Sequence, residues 1–229
     1  MNPINQTHTG NLAIATRPVA AVTSTNKVIR NTYLLLSMTL AFSAIVAGVA
    51  MALNLPHPGL IVTLAGYFGL LFLTSKFRDQ AAGIGLVFAL TGFMGYTLGP
   101  ILNNYLALPN GAQIVMTAFG ATGALFVGLS GYALATRKDF SFMGAFLMVG
   151  ILVAFVAGLG ALFLELPGLS LAVSAMFVLL MSGLILYETS NIIHGGETNY
   201  VMATVTLYVA IFNLFSSLLH LLGFMNSDE

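Results

Sequence analysis

No cysteine occurs anywhere in the chain. Disulfides, thiolate metal centres and cysteine nucleophiles are therefore excluded. Tryptophan is also missing, which leaves Tyr33, Tyr105, Tyr187 and Tyr200 to serve as aromatic anchors at a membrane interface. Charge is scarce: 6% of the residues are charged, seven basic and seven acidic, where soluble domains carry roughly 25%. A sparse and balanced charge gives no basic surface for nucleic acid. The motifs of catalysis are absent as well. There is no HExxH, no GxSxG, no phosphate-cradling glycine loop and no intramembrane aspartate pair, so no enzyme activity, cofactor or metal is expected.

What the chain has instead is apolar length. Of its 229 residues 58% are hydrophobic, and the mean hydropathy is +0.96. Repeated runs of about twenty apolar residues predict an all-α integral membrane protein, since a backbone in hydrocarbon must satisfy its own hydrogen bonds. Seven transmembrane helices are predicted, near residues 32–53, 60–74, 81–102, 114–134, 142–164, 169–187 and 200–224. Residues 1–31 form a polar stretch rich in Thr and Asn, predicted to be a disordered tail and not a cleaved signal. The transmembrane domain is then 32–224, with a short C-terminal tail at 225–229.

With seven spans, Arg17, Lys27, Arg30, Lys76, Arg78, Arg137 and Lys138 all fall on the side of the N-terminus. The positive-inside rule makes that side cytoplasmic and sends the C-terminus outside. The connecting loops are short, so function is expected from the bundle, a transport path or a binding partner.

The stretch from Leu184 to Phe224 carries the most information. Glu188 and Glu197 flank a polar loop between two apolar helices. The last helix then places Thr206, Ala210, Asn213, Ser217 and His220 on one face, at alternating steps of four and three. A polar or small stripe is turned away from lipid, which predicts that the last helix is central. Glu188 has two readings: a headgroup-level charge ending its helix, or a carboxylate drawn into the bundle that senses or carries protons. Asn213 is expected to hydrogen-bond a neighbouring helix, with an ion-path role as the alternative. His220 lies near the outer end, within reach of headgroups. His194 and Glu197 share a loop but lack further ligands for a metal.

Small residues recur in the third and fourth spans. Gly85, Gly92 and Gly99 are spaced by seven, with Gly95 between the last two, and Gly120, Ala124 and Gly128 by four. Such spacing predicts close helix packing. Pro100 is expected to end or kink the third helix.

Three segments carry a family likeness: TGFMGYTLGPIL (Thr91–Leu102), LILYETSNII (Leu184–Ile193) and LYVAIFNLFSSLLHLLG (Leu207–Gly223). Together they resemble the Bax inhibitor-1 family, with similarity running from about residue 30 to 224. The resemblance implies seven helices, six of them surrounding the last. For bacterial members it implies a place in the inner membrane. There it also implies association with the membrane-anchored protease FtsH and its HflK–HflC partners, restraining degradation of membrane proteins. The alternative it implies is a pH-sensitive calcium or proton leak gated by two acidic residues. The first of these positions is Glu188, after Tyr187. The second falls on Ala210, where the match fails, and a coupled carboxylate pair needs both.

Overall fold

The computed structural model describes residues 19–226, with side-chain surroundings from Thr25 onward. Seven α-helices follow one another: α1 (Val19–Ala52), α2 (Leu60–Lys76), α3 (Ala81–Leu106), α4 (Gly111–Thr136), α5 (Gly144–Phe163), α6 (Pro167–His194) and α7 (Tyr200–Met225). Six of them are long and apolar enough to cross a membrane, while α2 has 17 residues. At 1.5 Å per residue α2 is about 26 Å long, the lower end of what spans a hydrocarbon core.

Hydrogen bonds between the loops show that α2 nevertheless runs the height of the bundle. Ahead of α2, Pro56 offers its carbonyl to the Tyr96 hydroxyl at 2.7 Å, and Met51 offers its own to Asn103 Nδ2 at 3.2 Å. These contacts lie beside the C-terminal half of α3. Beyond the other end of α2, Asn199 Nδ2 donates to the Arg78 carbonyl and to Asp79 Oδ1, at 3.2 and 2.7 Å. The turn between α2 and α3 thus meets the turn between α6 and α7. The segment after α4 joins them, because Ser190 Oγ donates to the Lys138 carbonyl at 3.0 Å and accepts from the Phe140 N–H at the same distance. Lys76, Arg78, Arg137 and Lys138 are gathered at this one end, with Lys27 and Arg30 on the first turns of α1. All six are exposed.

Three boundaries differ from the sequence expectation, one of them the end of α6, which runs on to His194 where Tyr187 was expected and so takes Glu188 into the helix. The first helix begins at Val19, inside the stretch predicted to be tail, and extends for 34 residues. No proline or glycine interrupts the chain between Val19 and the apolar run, so the helix continues through the polar residues. Residues 1–18 lie outside the described residues. The third helix does not end at Pro100 but continues to Leu106 with Pro100 inside it. Proline lacks only its own N–H, so one bond to a carbonyl four residues back is lost while the rest of the ladder persists.

The core sits around α7, which packs against α1, α3, α4 and α6. Its buried residues include Ala203, Leu207, Ala210, Leu214 and Leu219, each at 1% exposure or less. Ala203, Leu207, Ala210 and Leu214 share one face, and Val201, Val205 and Tyr208 on the opposite face are buried too, so α7 is enclosed on most sides and not along one stripe alone. By contrast α5 is mostly lipid-facing, with Phe146, Val149, Leu152 and Val156 exposed.

Candidate functional site

At the basic end, α6 carries Glu188, Thr189 and Ser190 as three consecutive buried residues, 4%, 1% and 1% exposed. Ser190 ties the loop after α4, as above. Thr189 Oγ1 lies 3.2 Å from the Tyr33 hydroxyl on α1 and 3.5 Å from Ser130 Oγ on α4. Thr204 of α7 donates its hydroxyl to the Thr32 carbonyl at 3.3 Å and to its own Tyr200 carbonyl at 2.7 Å. Polar side chains from α1, α4, α6 and α7 therefore meet inside one end of the bundle.

Within this cluster two side-chain oxygens are buried and have no hydrogen-bond partner: Glu188 Oε1 and Thr32 Oγ1. An unpaired carboxylate oxygen in such a setting carries a desolvation cost of at least a few kcal/mol, so its protonation state bears on the local packing. Asn191, three residues on, and Glu197, in the loop after α6, are the polar groups that act on Glu188. The Glu188 side chain thus lies inside the bundle. Glu197 itself accepts the Asn199 N–H at 2.6 Å, closing the turn before α7. His194 Nδ1 is engaged by Ser190 of its own helix at 2.8 Å, and among the described residues no three His, Asp or Glu side chains come together.

The remaining sequence candidates are placed as follows. Ala210, where the second acid of the family gate would fall, is fully buried among Leu180, Met181, Ile185 and Leu214. Asn213 donates to the Val209 carbonyl of its own helix at 2.8 Å, and not to a neighbouring helix. Four residues back along a helix, that carbonyl lies on the same side and is the nearest acceptor. The glycines divide sharply. A Cβ on Gly92 would meet the Phe42 ring; on Gly95, the backbone and side chain of Ser43; on Gly99, Ala47 and Ala50. All three lie where α3 approaches α1, and Pro100 follows directly after them. Gly85, Gly120 and Gly128 have nothing within 4 Å, so the spacing of four in α4 faces outward.

One central feature had no signal in the spacing. The Tyr208 hydroxyl, on a residue only 1% exposed, lies 2.6 Å from Ser43 Oγ and donates to the Thr91 carbonyl at 3.2 Å. It ties α7 to α1 and α3 in the middle of the bundle. Outside the helices, Asp139 accepts the Ser141 N–H at 2.8 Å. That backbone bond, reinforced by the Ser141 side chain, holds the exposed carboxyl below the usual carboxylate range.

A bundle of long apolar helices with its polar groups gathered inside defines a multi-pass helical membrane protein. Residues 25–227 match the family model described as "Inhibitor of apoptosis-promoting Bax1", and the chain belongs to that family, as its three motifs indicated. Among its relatives, "Modulator of FtsH protease YccA" of Escherichia coli is 57% identical over 205 residues, covering 90% of this chain and 93% of the relative. An uncharacterised protein of Pseudomonas aeruginosa is 54% identical over 211 residues, 92% and 95% of the two chains. An uncharacterised membrane protein of Vibrio cholerae is 46% identical over 206 residues, 90% and 92%.

Proposed function

We propose that the chain is a non-enzymatic regulator of membrane-protein quality control in the bacterial inner membrane. It acts by associating with the FtsH protease and the HflK–HflC complex. The observation that carries this reading is the 57% identity with a protein named as a modulator of that protease, across nine-tenths of both chains. The location is supported by the name "Inner membrane protein YccA" carried by an equally similar relative. All seven helices cross the membrane in this reading, with the basic end and the N-terminus cytoplasmic and the C-terminus periplasmic.

The engagement element is the N-terminal segment, residues 1–30. A helix of 34 residues is about 51 Å long, well over the roughly 30 Å of a hydrocarbon core. Its first turns therefore stand clear of the membrane on the cytoplasmic side, and they carry Lys27 and Arg30. The test is affinity capture of the tagged full-length protein from membranes in mild detergent, with partners identified by mass spectrometry. Recovery of FtsH above a matched seven-helix control is expected, and its absence overturns the reading. Deleting residues 2–18 is expected to leave membrane insertion intact and to change the half-life in cells that contain the protease. An unchanged half-life removes the tail from the mechanism.

A second reading, a pH-sensitive calcium or proton leak, is favoured by one observation: the buried and unpartnered Oε1 of Glu188. In that reading Glu188→Gln flattens the pH dependence of flux in liposomes and Ala210→Asp steepens it, with Asn213 on the path. No flux in the parent or either variant eliminates the leak.

A further inference from the structure

Away from the polar cluster, at the opposite end of the bundle, the last turn of α3, the residues just after it and the last turns of α7 frame an open cavity of about 340 Å³. Its walls are Asn104, Tyr105 and Leu108 on one side and His220, Gly223 and Phe224 on the other. Glycine at 223 is what lets the two helices form it, because a Cβ there would run into the Tyr105 ring. Leu108 and Phe224 are 40% and 41% exposed, so the apolar wall continues to the surface.

Three polar side chains converge on this apolar space. His220 is held by one nitrogen only: Nδ1 lies 2.8 Å from Ser174 Oγ, whose hydroxyl donates to the Ser170 carbonyl at 3.0 Å. The serine proton is thereby used, Nδ1 is the donor to Ser174, and Nε2 is the free nitrogen. Among the described residues, neither that nitrogen, nor the Tyr105 hydroxyl, nor the Asn104 amide has a hydrogen-bond partner. Convergent unpaired polar groups in an otherwise apolar cavity are the usual composition of a ligand site.

We propose that this cavity holds the phosphodiester headgroup of a glycerophospholipid, from the leaflet away from the basic loops. The site lies at the helix ends, where headgroups sit. The tyrosine hydroxyl and the asparagine amide supply donors for phosphate oxygens, and among the described residues no carboxylate lines the cavity. Leu108 and Phe224 offer an apolar exit along which the acyl chains return to the bilayer. A freely soluble polar metabolite would leave that wall unused.

The test is native mass spectrometry of the full chain released from nanodiscs of phosphatidylethanolamine and phosphatidylglycerol in equal parts. The parent is expected to keep one phospholipid at activation energies that strip the annular lipid. Asn104→Leu and Tyr105→Phe are each expected to lower that occupancy about fivefold, the loss of one donated hydrogen bond. Asn104→Leu breaks no bond within the protein, so it tests the site even if the other variant misfolds. No retained lipid in the parent, or equal retention in Asn104→Leu, overturns the proposal. Displacement of the adduct by inorganic phosphate overturns it too, by assigning the cavity to a free anion.

Discussion

Gly95→Ala is the perturbation whose size the structure sets most directly. The added methyl would enter the space of the Ser43 carbonyl, and it would lie 2.9 Å from Ser43 Oγ and 3.1 Å from the Ser43 carbonyl carbon. Backbone cannot rotate away, so α1 and α3 must separate by several tenths of an ångström. Overpacking of this kind costs about 1–3 kcal/mol. Ser43 Oγ is also the 2.6 Å partner of the buried Tyr208 hydroxyl, and disturbing that bond adds about 1 kcal/mol. The total expected loss is about 2–4 kcal/mol. Gly99→Ala is expected close behind, since its methyl meets Ala50 Cβ at 2.6 Å and the Ala47 carbonyl at 2.9 Å. Gly92→Ala meets only the rim of the Phe42 ring at 2.8 Å, a half-exposed side chain that can swing toward lipid, so about 1 kcal/mol is expected. Gly120→Ala meets nothing and, in mid-helix, is expected to equal the parent or exceed it by up to about 1 kcal/mol. The assay is denaturant titration of each purified variant in mixed micelles, followed by circular dichroism. Equal midpoints for Gly95→Ala and Gly120→Ala would refute the reasoning.

Three further outcomes are expected. Tyr208→Phe leaves Ser43 Oγ and the Thr91 carbonyl without their central partner and should lower stability by about 1–2 kcal/mol; a double-mutant cycle with Ser43→Ala should show a coupling near 1 kcal/mol, and strict additivity would contradict the bond. Asn199→Ala removes the side-chain oxygen that accepts the Val201 and Met202 N–H groups at 2.9 and 3.1 Å. The cap of α7 and its tie to Asp79 are lost together, which should cost about 1–2 kcal/mol in the same titration. Asp139 should titrate below the usual carboxylate range, because the Ser141 N–H favours its charged form. Its contribution is complete above the unfolded pKa and is lost as pH falls through the depressed folded value; a carboxyl carbon resonance with an ordinary midpoint would disprove the bond.

Membrane class, the number of apolar segments and the clustering of basic residues were readable because each is local. Length and hydropathy along one segment decide whether it suits hydrocarbon, and Lys and Arg positions follow from counting. The family was readable too, since LILYETSNII and its companions are continuous strings. Helix boundaries were less so: α1 starts at Val19, with no breaker after it to stop the helix, and α3 passes through Pro100.

Which side of each helix makes contact was much less readable. Gly95 and Gly120 are the same residue at similar spacing, yet one meets α1 and the other meets nothing. Asn213 found its own helix, Ala210 an apolar pocket, and Glu188 a buried place with one oxygen unpaired. Lipid is as apolar as a protein core, so in a membrane helix hydrophobicity does not separate the inward face from the outward one. The sequence by itself determined that these segments are helices suited to a bilayer and which family they belong to. Their rotation about their own axes is a property of the packed bundle. Only the tertiary structure decided that, and with it which polar groups meet.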